Sequence, residues 1–268
     1  MRKDRQSLMV RLVERRGYMS VESLVAHFAV TSQTIRRDIN DLSDRGILMR
    51  QHGGASLPSF LSNTSYNLRH VERVFEKQRI ADAVANYLPD RATLFMTLGT
   101  TVEAVAEALA KTTKELMIVT NNTEVARIFW TRTTFETFLT GGTVQHRNGG
   151  LVGRRAIEVA SDFRCDYLIS GIGAIEPDGT LLEFHDAEIE VMQTMRTRAR
   201  HHLVAADHTK FLRSANQRLC AFSELAAFFT DQPPPDRIVM LARRADVEIV
   251  VAGPEPEKPE AADELIHD

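Results

Sequence analysis

The 268 residues are 43% hydrophobic and 26% charged, enough apolar material for a sizeable core and for one or two domains. Two cysteines, Cys165 and Cys220, lie far apart and outside any Cys/His cluster, which excludes a disulfide scaffold and argues against a zinc site. No apolar run approaches the roughly 20 residues that span a bilayer, and Met1-Arg2-Lys3-Asp4-Arg5 lacks the apolar stretch of a secretory signal, so a soluble, cytoplasmic chain with no membrane partner is expected.

The net charge of −3 conceals an asymmetry. Residues 1–55 hold ten Lys/Arg against six Asp/Glu, a net of +4, while the other 23 and 30 leave −7. A basic segment on an acidic body suits an approach of that segment to a polyanion.

Leu8, Met9, Leu12 and Val13 give residues 3–16 a helical apolar stripe that Gly17 stops. Ser20 is placed to cap a second helix, with Val21, Leu24, Val25 and Phe28 at i, i+3, i+4 and i+7. Thr31 caps a third, whose buried side is Ile35, Ile39 and Leu42 and which ends at Gly46. On a wheel of about 100° per residue with Ile35 at zero, Gln33, Arg37 and Asn40 point away from the core and Arg36 lies at the side. Read alone, this is either a solvated face whose arginines partner Asp38 and Asp41 or the recognition helix of a helix-turn-helix. The next stretch favours the second reading. Ile47–Arg50 reads as a strand, Gly53-Gly54 as a turn and Ala55–Leu57 as the returning strand of a wing. Double-stranded operator DNA is then the expected partner. Gln33 and Arg37 are candidates for base edges, and Ser32, Thr34, Arg36, Asn40, Arg50 and His52 complete the candidate DNA face.

Residues 58–74, with Pro, Ser and Asn and no sustained period, read as a linker after the domain at 1–57. A helix is expected from about Phe75 to Leu88. After it, six apolar runs ("ATLFMTL", "ELMIVT", "FETFLT", "DYLISGIGAI", "HHLVAA", "VEIVVA") alternate with helical stretches up to residue 252. That alternation predicts a largely parallel α/β sheet with ligands at the carboxyl ends of its strands. Polar residues cluster there: Gly99, Thr100 and Thr101 before a helix, then Asn121 and Asn122, Gly141 and Gly142, Glu183, Asp207 and Lys210. A phosphorylated small molecule is the expected occupant. The nine histidines show no ligand spacing, and no metal, cofactor or catalytic residue is assigned. Phe129 and Trp130 are expected in the core, and residues 253–268 as a disordered acidic tail.

"GYMSVESLVAHFAVTSQTIRRDINDL" followed by "GILMRQHGGA" resembles the DeoR family of bacterial regulators, joining a T-x-R-R-D third helix to an H-G-G-A wing. "PDRATLF", "TTVEAVAEAL", "IVTNN", "DGTLLEF", "DHTKF" and "TDQPPP" extend the resemblance through the second domain. It implies a winged helix-turn-helix, an α/β sensor domain similar in fold to ribose-5-phosphate isomerase, and a non-enzymatic repressor; because one helix-turn-helix buries little surface and operators are commonly symmetric, a homodimer or homotetramer is expected. It further implies a phosphorylated polyol such as glycerol 3-phosphate as effector, gripped by Gly99, Thr100, Thr101, Asn121, Asn122 and Lys210. A regulator of another sugar phosphate and an isomerase-like enzyme with a DNA-binding arm are the competing readings. Thr97 stands where the family has Asp, Met192 where it has Lys and Leu212 where it has Gly. Losing a carboxylate and an ammonium alters the charge of the expected site and counts against acid–base turnover.

Overall fold

The computed structural model describes residues 2–16, 18–45, 47–51, 53–56 and 66–253. The first group forms helices α1 (Arg2–Arg16), α2 (Val21–Phe28) and α3 (Ser32–Asp44), with strands β1 (Tyr18–Ser20), β2 (Met49–Gln51) and β3 (Gly54–Ser56). Ser20 Oγ accepts from the Ser23 amide at 3.1 Å, and Thr31 Oγ1 from the Thr34 amide at 3.3 Å, so both expected caps close their helices. Met9, Val13, Met19, Leu24, Ile35, Ile39, Leu42 and Leu48 are buried together. Each such side chain contributes about 1.5–3 kcal/mol when fully buried.

The strand β1 is not foreseen by periodicity. It is three residues long, and it forms because Met19 packs in that core while its backbone pairs antiparallel with β3, Met19 opposite Ala55. The sheet order is β1-β3-β2, and β2 begins at Met49 because the Ile47 amide instead bonds the Leu42 carbonyl at 2.8 Å. Asp38 is turned inward, 1% exposed, and accepts from Arg5 Nε at 2.6 Å and Gln6 Nε2 at 3.2 Å. This carboxylate ties α3 to α1. The helix-ending glycines Gly17 and Gly46, the wing residue His52 and Leu57 lie outside the described residues.

The second group runs α4 (Tyr66–Val71), α5 (Val74–Tyr87), β4 (Thr93–Met96), α6 (Thr100–Leu109), β5 (Met117–Thr120), α7 (Thr123–Arg132) and β6 (Glu136–Leu139). Next come β7 (Thr143–Val144), β8 (Leu151–Val152), α8 (Arg154–Asp162), β9 (Cys165–Ser170), β10 (Ala174–Ile175), β11 (Thr180–Glu183) and α9 (Asp186–Arg198). The last are β12 (Ala199–Ala205), β13 (Gln217–Ala221), β14 (Ala227–Thr230), α10 (Asp236–Ala245) and β15 (Glu248–Val251). Seven strands form one parallel sheet in the order β15-β14-β12-β9-β4-β5-β6. Alternate side chains feed opposite faces. Leu94 and Met96 pack with α5, α6 and α7 through Ile80, Val84, Val102, Val105 and Phe129. Phe95 between them packs on the other side with Ala156 of α8 and Val191 and Met195 of α9. The result is an α/β/α arrangement.

Three expectations change. The linker ends early: residues 66–71 are helical, and Arg73, at a left-handed φ of 52°, starts α5. β14 adds a seventh strand, and "DYLISGIGAI" is divided at Gly171–Gly173 into β9 and β10, the latter pairing with β11 in a separate antiparallel sheet β10-β11-β13. Phe129 is buried, but Trp130 is 72% exposed, because one residue along α7 turns its side chain from sheet to solvent. Residues 58–65 and 254–268 lie outside the description. Among the described residues no helix is long and apolar enough to cross a membrane.

Candidate functional site

The helix α3 presents Ser32, Gln33, Arg36, Arg37 and Asn40 as exposed side chains opposite the buried Ile35, Ile39 and Leu42. Thr34 is half-buried, its hydroxyl 2.9 Å from that of Thr31, so it belongs to the helix cap as well as to this face. Arg50 is exposed on β2, where its backbone pairs with Ala55 of β3. A short, capped, internally tied helix therefore offers two guanidiniums and two amides on one ridge, with a third guanidinium on the wing. That chemistry suits phosphates and the major-groove edges of G and A.

In the second group, chain order runs from β4 outward through β5 and β6 to one edge, and from β9 outward through β12, β14 and β15 to the other. The direction reverses between β4 and β9, and crevices beyond such strand ends are where open α/β sheets hold ligands. A cavity lies there, about 940 Å³ with its open mouth included. Gly99, Thr100, Thr101, Asn121, Glu183, Asp207 and Lys210 line it, together with Tyr66, Arg69, Arg73, Lys77 and Arg213. The first amides of α6 have no partner inside their own helix, and Gly99, at φ 130° and with only Val102 Cγ2, 4.0 Å away, near where a Cβ would stand, lines the cavity in front of them.

Three of the sequence candidates do not line the cavity. Asn122 is spent on structure: its Oδ1 accepts from the Glu124 amide at 2.9 Å, capping α7, and its Nδ2 donates to Glu103 Oε1 at 3.0 Å. Gly141 and Gly142 serve the turn after β6. A Cβ on Gly142 would meet the Val152 carbonyl at 2.6 Å, and its φ of 110° excludes other residues in any case.

The cations have distinct duties. Lys77 is buried and donates to the carbonyls of Glu72, at 2.8 Å, and Arg69, closing the end of α4; burial lowers its pKa to about 8. Lys210 is also pushed down to about 8, by burial and then by the Arg213 charge. Burial likewise lowers Arg69, whose Nε is buried without a partner. Burial would raise Asp207, but Lys210, the Thr209 hydroxyl, Arg73 and Arg213 outweigh it and hold it at about 2. Glu183 goes the other way, pushed up to about 7 by burial and the neighbouring charge of Glu188. Glu188 itself accepts from Arg147 at 2.8 Å and Asn148 at 2.9 Å, fastening the loop that follows β7. On the far side of α6, burial raises Glu103, which accepts from the Tyr66 hydroxyl at 2.9 Å and so joins α4 to α6.

Met192 lines the cavity with a buried thioether, whereas Leu212 is 67% exposed and contributes nothing to it. Sequence reasoning missed Tyr66, Arg69, Arg73, Lys77 and Arg213. A signal existed for three of them: Arg69 and Arg73, in the stretch read as a linker, and Lys77, in the helix expected after it, are cations spaced at i, i+4 and i+8. Among the described residues no group of three or more His, Cys, Asp or Glu could hold a metal ion.

The family description "DeoR-like helix-turn-helix domain" matches residues 5–60, and "DeoR C terminal sensor domain" matches residues 72–232. The HTH-type transcriptional repressor CsqR of Escherichia coli is 41% identical over 247 residues, covering 92% of this chain and 94% of that protein. The glycerol-3-phosphate regulon repressor of Escherichia coli is also 41% identical, over 237 residues, 88% of this chain and 94% of its own length. Among solved structures, ribose 5-phosphate isomerase A from Neisseria gonorrhoeae matches at a TM-score of 0.36 and 14% identity over 50% of this chain and 52% of that one. With both halves matched by their own family descriptions and two relatives aligned over nearly the whole length, the chain belongs to the DeoR family.

Proposed function

We propose that this protein is a transcriptional repressor whose α3 ridge and wing hold operator DNA, and whose cavity binds a phosphorylated polyol that releases it. Glycerol 3-phosphate is the effector we favour. One observation carries the reading: the open amino end of α6, two threonine hydroxyls and the cations Arg69, Lys210 and Arg213 converge on one cavity, beside the helix α4 that follows the DNA-binding unit in the chain. The anion supplies the charge those groups need, and Tyr66 and Arg69 make α4 part of the wall the anion meets, with Arg73 at the start of α5. Such an effector shifts operator occupancy only by its differential affinity for the bound and released conformations. On this reading two copies read a symmetric operator, since one recognition helix covers a single half-site.

The names of the relatives support a regulator over an enzyme, but the two Escherichia coli repressors are equally identical to this chain and do not decide the effector. Met192, where a family member would place a lysine, supports the second reading, a different sugar phosphate with an apolar patch to match. Melting the full chain with each of a series of phosphorylated polyols and sugars separates them. An effector at one hundred times its Kd stabilises by about 2.7 kcal/mol, a rise of roughly 5–10 °C for a domain of this size. Glycerol 3-phosphate should give that rise and should weaken binding to a promoter fragment. Stabilisation by another ester alone moves the assignment to it, and turnover of ribose 5-phosphate at enzymatic rates would replace the regulator with an isomerase.

A further inference from the structure

Thr97 and Asn121 are 1% and 2% exposed, both line the cavity, and each keeps one buried oxygen, Oγ1 and Oδ1, without a hydrogen-bond partner. Buried polar atoms are rarely left so unless something else completes them. Their positions are related. Met96 and Thr120 are opposite one another at the ends of the adjacent parallel strands β4 and β5, so Thr97 and Asn121 are the first residues beyond two neighbouring strand ends, and both line the same cavity. Both are held firmly. The Thr97 amide donates to the Ile169 carbonyl at 3.1 Å, and its own carbonyl accepts from Asn122 Nδ2 at 3.4 Å. Asn121 Nδ2 donates to the Leu151 carbonyl at 3.1 Å, and the Leu151 amide returns a bond to the Asn121 carbonyl at 2.8 Å.

That last pair fixes the amide's polarity. With Nδ2 held by that carbonyl, the buried atom of Asn121 left without a partner is Oδ1, an acceptor. A phosphate oxygen at that point would set lone pair against lone pair, whereas a hydroxyl can donate to Asn121 Oδ1 and accept from the Thr97 hydroxyl. We propose that Thr97 and Asn121 form a hydroxyl-recognition pair that orients the effector, receiving an alcohol on its carbon chain while the phosphate lies at the start of α6 and the cations. The inference rests on the phosphate-ester reading of the cavity. It makes Thr97 a specificity residue: the neutral side chain at this position selects an uncharged hydroxyl, where a carboxylate would also accept an amine and would repel the nearby anion.

The test is calorimetric titration of the full chain with inorganic phosphate, propyl phosphate and glycerol 3-phosphate, the last two differing by two hydroxyls on the same carbon chain. Wild type should prefer glycerol 3-phosphate to propyl phosphate by roughly ten- to a hundredfold, the range for hydrogen bonds that leave a buried partner orphaned when missing. Thr97→Val, which keeps the shape and removes the hydroxyl, should cut that preference at least fivefold and leave inorganic and propyl phosphate unchanged. Because the deleted hydroxyl has no partner in the free protein, the variant's melting temperature without ligand should not fall, and Thr97→Ser should retain the preference. If Thr97→Val weakens all three ligands alike, or leaves the preference intact, the pair is not the selector. Wild type that binds phosphate and propyl phosphate with no gain from the hydroxyls overturns the pair and leaves the anion site standing; failure to bind any of the three removes the anion site and the pair with it.

Discussion

The winged helix and the cavity treat polar side chains in opposite ways. In the first, an apolar core sends Gln33, Arg36, Arg37 and Asn40 into solvent, and the one inward carboxylate, Asp38, is met by Arg5 and Gln6. In the second, polar groups from α4, α5, α6, β11 and the ends of β4, β5 and β12 are gathered inside the protein, and several stay short of partners there. The first region is complete without its ligand. The second keeps unpartnered polar atoms and displaced pKa values, and on the function proposed above that load is what an anionic effector would relieve.

The sharpest test of that contrast removes the most heavily loaded cation. Lys210→Met should reduce affinity for a phosphorylated polyol by about 2–5 kcal/mol, the usual cost of deleting one member of a buried charge pair, and abolish the ester-induced rise in melting temperature. Asp207 keeps the Thr209 amide at 3.0 Å and Arg73, so the fold should survive. The wild-type response should itself fade as the pH passes about 8, where Lys210 loses its proton. An undiminished response at pH 9.5 would sink the role given to it.

In the winged helix the equivalent internal deletion attacks folding instead. Asp38→Ala leaves Arg5 and Gln6 without their shared acceptor and should cost roughly 2–3 kcal/mol of that unit's stability in urea melts. Its outward neighbours should behave otherwise. Arg37→Ala should lose about 2 kcal/mol of operator binding and relax base preference with no change in melting, while Arg36→Ala should weaken every duplex alike and flatten the salt dependence by about one unit. Equal losses on operator and random DNA for both arginines would erase the distinction between base and phosphate contacts.

How well each region could be read in advance follows from the same difference. A single helix fixes which residues share a face, so Ile35, Ile39 and Leu42 on one side told where Arg37 and Gln33 would be. The cavity depends on strand order, and no local pattern says that β9 will lie beside β4, which brings Gly171–Gly173 against Thr97–Thr101. Strand ends were visible, and Lys210 and Asp207 with them. Arg69, Arg73 and Lys77 were hard to place together because α4 is only six residues, Arg73 turns the chain between α4 and α5, and Lys77 reaches back to the carbonyls at the end of α4, a contact that composition cannot show. Asn122 shows the opposite failure: an amide at a strand end looks like a ligand group, but the following helix uses it as its cap.

The smallest expected effect concerns Glu183, and its sign separates strain from support. Burial and Glu188 raise this carboxyl from 4.5 to about 7, so between those values the folded chain holds a proton that the unfolded chain has released. Stability therefore falls as pH rises through that window, by at most about 3 kcal/mol and, with the cavity open to water, closer to about 1 kcal/mol. Glu183→Gln removes the titration. Its melting temperature should match wild type near pH 5 and exceed it by a few degrees at pH 8, measured without ligand. If Glu183 were instead a supporting partner of Lys210 and Arg69, the variant would melt lower at pH 8, and the cavity would be as well satisfied when empty as the core around Asp38.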